Sequence, residues 1–157
     1  MTTKRSIAAV AALIGAIGLI AVSSAGASTL IAFKCSHWKY FGGNERTHSC
    51  VSLHRRAHRH IVGHSWADVF YKTTSSSPRP RVDWHEDRSR HVFLCPNFSI
   101  GHSSETPQCY EALGYSSQTY RPGRCGRGER VDISALGLIG ENQKHKTEAS
   151  LVYHCSF

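Results

Sequence analysis

The chain has 157 residues, with 19 Lys and Arg against 11 Asp and Glu, 11 His and six Cys, and a formal charge of +8. That length suits one domain with a single core and excludes multidomain machinery, and the charge points to anionic partners: nucleic acid, anionic lipid or acidic glycans. With no CxxC pair in the chain, a zinc ribbon or a thioredoxin-type site is not expected.

Residues 1–27 read as a signal peptide. Lys4 and Arg5 form a positive n-region, "SIAAVAALIGAIGLIAV" an apolar h-region, and "AGA" the small-x-small pattern before a cleavage site after Ala27. Cleavage leaves a 28–157 domain that loses two basic residues and no acidic one, so its charge is +6. It keeps every histidine, so its charge grows below about pH 6.5. All six cysteines (Cys35, Cys50, Cys95, Cys109, Cys125, Cys155) lie in it, and an even count behind a signal peptide implies three disulfides in an oxidising compartment. The expected location is secreted, with no stable membrane association after cleavage.

The elements follow in chain order. "LIAFKCSHWKYF" predicts a first strand ending at Gly42 and Gly43. "THSCVSLHRRAHRHIVGHSW" predicts a helix capped by Thr47 or Ser49, with Leu53, Ala57 and Ile61 at i, i+4, i+8 and Gly63 as a stop. "WADVFYKT" reads as a short strand and "TTSSSPRPR" as a loop. "RHVFLCPNF" is a strand broken by Pro96, and Asn97 in "NFS" is a glycosylation sequon expected on a surface loop. "CYEALGY" is a short strand and "YRPGRCGRG" a basic glycine-rich loop; "ERVDIS", "ALGLIG" and "EASLVYHCSF" are three closing strands. The pattern gives an α+β fold, one helix packed on a twisted antiparallel sheet.

Strand phase then places candidate groups. Val131 and Ile133 point one way and Arg130 and Asp132 the other. With Tyr110 and Ala112 facing the core, Glu111 shares the open face with Arg130, and His145 at the turn into the last strand comes within reach. A carboxylate, a guanidinium and an imidazole on one face suit RNA transphosphorylation. The carboxylate takes the 2′-OH proton, the guanidinium holds the phosphoryl oxygens, and the imidazolium protonates the leaving 5′-oxygen, with no metal or other cofactor. Elsewhere His54/His58 and His60/His64 are i, i+4 pairs, but no third ligand stands nearby, so a basic solvated helix face is the expectation. Tyr115, Tyr120, Trp84 and Phe98 are candidates for base stacking.

Two segments resemble the fungal guanyl-specific ribonucleases and sarcin-like ribotoxins. "CYEALGYSSQTYRPGRCGRGERVDIS" is similar to the family's stretch from catalytic Glu to catalytic Arg. "GLIGENQKHKTEASLVYHC" is similar to its stretch through the catalytic His to a terminal Cys. "FKC" near the front resembles the aromatic-x-Cys start of these proteins. The resemblance implies Glu111 as base, Arg130 as phosphate clamp, His145 as acid and Tyr110 as a phosphate neighbour. It also implies a Cys35–Cys155 disulfide; Cys50–Cys95 and Cys109–Cys125 are then expected for the rest. The family's Tyr-Pro-His motif has no counterpart here; Arg81, His85 and His91 are the candidates for that place. The implied function is a secreted, monomeric, metal-independent endoribonuclease cleaving single-stranded RNA through a 2′,3′-cyclic phosphate. The alternative is a catalytically inactive, ribonuclease-like virulence effector of a plant-pathogenic fungus, delivered to host cells, that binds host RNA or protein. A third expectation is a disulfide-stapled binding or antimicrobial module, marked by a disulfide map without Cys35–Cys155.

Overall fold

The computed structural model describes residues 28–157 apart from 43, 75–77, 79–81, 87–89, 121–122 and 141–143. The expected signal peptide, most of the Ser/Pro-rich loop and Arg81 lie outside the described residues.

Twelve strands build the described chain: β1 Thr29–Cys35, β2 Lys39–Phe41, β3 Glu45–Arg55, β4 His60–Thr74, β5 Val82–Glu86, β6 His91–Ile100, β7 Ser103–Ser104, β8 Tyr110–Leu113, β9 Tyr115–Thr119, β10 Gly123–Arg124, β11 Arg130–Ile139 and β12 His145–His154. They form two antiparallel sheets. One runs β1-β3-β4-β10, with β2 also on β3 and β5 and β9 also on β4; the other runs β12-β11-β6-β7, with β8 also on β6. One shared core of Val51, Leu53, Ile61, Val69, Leu94, Phe98, Ile133 and their neighbours lies between them, so the architecture is a β-sandwich.

The expected α+β fold is therefore corrected. The segment expected to be helical is β3, a single 3-10 turn at Ala57–Arg59, and the start of β4. Its true period is two. Thr47, Ser49, Val51 and Leu53 point inward from β3, and Ile61, Ser65, Ala67 and Val69 from β4, all buried. The inward Thr and Ser hide this alternation from a hydrophobicity count, while Leu53 and Ile61, which fell at helical spacing, come from neighbouring strands. The buried hydroxyls find partners. Ser49 Oγ lies 2.8 Å from Thr147 Oγ1 and donates to the Thr147 carbonyl at 3.1 Å, Thr47 Oγ1 donates to the Asp68 carbonyl, and Ser65 Oγ lies 3.3 Å from the Tyr120 hydroxyl. Each such bond contributes about 1 kcal/mol, and more would be lost by leaving its partner unpaired.

Gly63 does not stop a helix. A Cβ there would lie 2.8 Å from both Ile133 Cδ1 and Phe98 Cε2, and one at Gly137 would lie 2.4 Å from Ser49 Oγ. The sheets approach each other most closely where these two residues have no side chain.

Other expectations are adjusted too. "ERVDIS" and "ALGLIG" are one continuous β11, with Val131 and Ile133 buried as their phase implies, but against the other sheet rather than a helix. Pro96 does not break β6. It lies where β8 pairs only with 91–94 and β7 only with 99–100, leaving β6 open on that side among the described residues, which is where a missing N–H is tolerated. Asn97 is exposed on a strand, not a loop.

The disulfides are Cys35–Cys50, Cys95–Cys109 and Cys125–Cys155. The expected Cys35–Cys155, Cys50–Cys95 and Cys109–Cys125 pairings are thus overturned. Cys35 and Cys50 are direct cross-strand neighbours on β1 and β3, so Cys35 meets its partner within its own sheet. No helix among the described residues is long and apolar enough to cross a membrane.

Candidate functional site

The expected Glu111, Arg130 and His145 do not converge. Glu111 pairs with Phe93 on β6, which pairs with Leu138 on β11. Arg130 stands eight residues from Leu138, roughly 26 Å along the strand. Both project from the outer face of the five-stranded sheet, as their phase implied. His145 pairs with Ile139 at the turn end of the β11–β12 hairpin, whereas Arg130 pairs with His154 at the open end. The His145 ring stacks on Phe41 at 4.2 Å, on the side facing the other sheet. Arg130 is engaged in its own strand: Nε donates to Asp132 Oδ1 and Oδ2 at 2.9 and 2.7 Å, and Nη2 to Oδ1 at 2.6 Å. Those hydrogen bonds, then the Asp132 charge, raise its pKa further.

The structure does bring one candidate pair together. His91 Nδ1 lies 2.5 Å from Glu111 Oε1, both half exposed. Tyr110 is exposed beside them on β8, within reach of Gln108. His85 pairs with Tyr71 across β4 and β5, away from Glu111. Among the stacking candidates, Phe98 and Tyr120 are core residues stacked on each other at 4.5 Å. Burial pushes the Tyr120 hydroxyl up to about 12, against the opposing hydrogen bond from Ser65. Trp84 lies on β5. Only Tyr115 of the four is an exposed ring, 45% accessible.

A different surface gathers recognition chemistry. From Arg46 to Ala67 the chain carries four Arg and five His and no acidic residue, and this stretch is the β3–β4 hairpin. Its tip exposes Arg55, Arg56, His58 and Arg59, with Arg124 of β10 opposite His60. Behind the tip, on the outer face of the seven-stranded sheet, the rows are set by register. Phe33, Ser52, His64 and Thr119 form one row across β1, β3, β4 and β9; Cys35, Cys50, Trp66 and Ser117 form the next; His48, Asp68 and Tyr115 form a third. Phe33, 55% exposed, lies 5.8 Å from Trp66. His54, His64, Trp66, Tyr115, Ser117, Gln118 and Thr119 line a shallow groove here.

The groove's imidazoles are held in place. His54 Nε2 lies 3.2 Å from Ser52 Oγ, His64 Nδ1 lies 3.0 Å from Thr119 Oγ1, and the two rings meet edge to face at 5.1 Å. Partial burial, then His54 and Arg56, lowers the His64 pKa below 6.5. Sequence reasoning noticed these histidines but put them on a helix. Read at period two, His54, His64 and Trp66 share one sheet face. That signal was present in the sequence.

No protein-family model, curated protein or solved structure matches the chain.

Proposed function

We propose that this protein is a secreted, disulfide-stapled β-sandwich that binds single-stranded RNA without turnover. The observation that supports it best is the continuity of the outer sheet face: exposed Phe33, Trp66 and Tyr115 beside His54 and His64, running into the arginine tip. Single-strand binders combine stacking rings with a cationic track for the backbone. Polar groups along the groove, Gln118, Ser117 and Thr119, suit base edges and ribose hydroxyls. The groove at the opposite side of β10, lined by Glu105 and Glu129 with His102 and Arg124, carries two carboxylates that oppose phosphate. The disulfide map without Cys35–Cys155 favours a binding module over the ribonuclease scaffold.

One observation favours a second reading, a metal-independent endoribonuclease. The His91–Glu111 contact is an acid–base pair on an open face, and such a pair contributes to proton transfer when a 2′-OH comes within reach.

One experiment addresses both. Labelled single-stranded RNA is titrated with oxidised protein at several salt concentrations, and the RNA ends are then analysed. Binding should weaken with salt. Tyr115→Ala and Trp66→Ala should each cost about 5- to 100-fold, the usual weight of one stacked base. Arg55→Gln with Arg56→Gln should lower the salt slope by about 1. Absent binding at low salt, or binding indifferent to both aromatic substitutions, overturns the proposal. Cyclic-phosphate ends that vanish in Glu111→Gln would decide for the enzyme.

A further inference from the structure

Directly beside the groove, Cys35, Cys50 and His48 present their sulfur and nitrogen ligand atoms within 4.8 Å of one another. The geometry has a cause in the register. Cys50 and His48 are two apart on β3 and so share the outer face, and Cys35 is the cross-strand neighbour of Cys50. Asp68, opposite His48 on β4, places Oδ1 2.6 Å from His48 Nδ1. Neither of these two atoms has another hydrogen-bond partner. An Nδ1–H facing the carboxylate fixes the tautomer that leaves the Nε2 lone pair free. The Trp38 ring covers the imidazole at 3.8 Å, and Arg46 lies over Trp38 at 4.1 Å.

We infer that Cys35, Cys50 and His48 form a latent soft-metal site for Zn²⁺ that opens when the Cys35–Cys50 disulfide is reduced. A carboxylate behind a ligating imidazole is the usual outer-shell arrangement of zinc histidines, and two thiolates with one imidazole are a zinc donor set that leaves a fourth position for water. Asp68 is a positioning residue in this site. The chemistry balances with a dithiol reductant of the kind that keeps cell interiors reduced. Two electrons and two protons pass from the dithiol to the Cys35–Cys50 disulfide, giving two thiols and leaving the reductant as its own disulfide. Zn²⁺ then displaces the two thiol protons to solvent as the Zn–S bonds form. The oxidised protein has no such site, so the protein is metal-free where disulfides persist and metal-binding where thiols persist. The inference does not depend on the RNA reading, since its measurements register metal and thiols only.

The test uses the full 28–157 domain, oxidised and after dithiol treatment, titrated with Co²⁺ and then Zn²⁺. The expected result is one Co²⁺ per chain with a sulfur-to-cobalt charge-transfer band, displaced by Zn²⁺ and seen only after reduction. Bound Zn²⁺ should protect Cys35 and Cys50 from alkylation, while Cys95 and Cys109 react. His48→Ala should weaken binding at least about tenfold, and the near-isosteric Asp68→Asn about 10- to 100-fold. Metal taken up equally by the oxidised protein, protection of other cysteines, unchanged affinity in both variants, or no uptake after reduction would each overturn the site. A reduced chain that unfolds and binds as well with His48→Ala as without it overturns it also.

Discussion

His64 shows how a single side chain ties the groove to pH. Its neutral form is favoured in the fold by burial, by His54 and by Arg56, while Thr119 Oγ1 holds Nδ1. A folded pKa below 6.5 means that the unfolded chain binds the proton first as pH falls. The contribution of His64 to stability is therefore complete above about pH 6.5 and is lost as pH drops through the folded value. Urea midpoints between pH 7.5 and 5 should fall, and His64→Gln, which cannot titrate, should flatten part of that fall. An unchanged slope in the variant would place the titration elsewhere. Phosphate in the groove should act in the opposite sense, because an anion beside His64 favours the imidazolium; RNA should then recover part of the stability lost at low pH.

At the scale of elements, the β3–β4 hairpin carries the sharpest local conflict. His58 and Arg59 are consecutive residues in the left-handed region, at φ 58° and 63°, and the Arg56 N–H donates to the His60 carbonyl across them at 2.8 Å. Primed hairpin turns of this kind favour Asn-Gly. A β-carbon in that region costs roughly 1 kcal/mol per residue or more, and here it accompanies a charged tip. His58→Asn with Arg59→Gly should raise stability by about 1–2 kcal/mol in urea unfolding and at the same time weaken RNA binding. A gain in stability with unchanged affinity would show that the tip is not part of the RNA surface.

The same hairpin explains what was legible in the sequence. β11 and β12 carry unbroken alternation, and their residue phases could be read directly. β3 and β4 alternate just as strictly, but Thr47, Ser49, Ser65 and Gly63 occupy inward positions, and a scale of apolarity passes over them. Hydroxyls that pair across the sandwich, and a glycine that admits Ile133 and Phe98, are visible only once the opposing sheet is known. The expected Glu-Arg-His set failed for a related reason. A separation of 15 residues between Arg130 and His145 does not say where the turn falls. With the turn between Ile139 and His145, the two side chains end at opposite ends of one hairpin. Glu111 and His91 met because β8 pairs with β6, a contact between strands whose order spacing alone leaves open.

Over the whole molecule the three disulfides have unequal roles. Cys35–Cys50 joins two strands of one sheet, and Cys95–Cys109 fastens the segment before β8 to its neighbour β6. Cys125–Cys155 alone links the two layers, tying the chain after β10 to the end of β12. Both its cysteines are buried, and the backbone around them is stitched by bonds from Cys125 N–H to the Arg59 carbonyl, Cys155 N–H to the Glu129 carbonyl and Gly128 N–H to the Cys155 carbonyl. Its sequence separation of 30 is twice that of the others, at 15 and 14. The loop-entropy model assigns it about 3.7 kcal/mol against about 3 for each of the others. Replacing buried sulfur by smaller side chains adds a cavity cost. Cys125→Ala with Cys155→Ala should therefore lower stability by about 4 kcal/mol or more, and by more than Cys95→Ser with Cys109→Ser, where Cys109 is exposed. Hydrogen exchange should locate the loss: amides at the ends of β10 and β12 should open before those of β3 and β6. Equal losses from the two pairs, with protection falling evenly, would mean that the core between the sheets joins the layers without help from the bond.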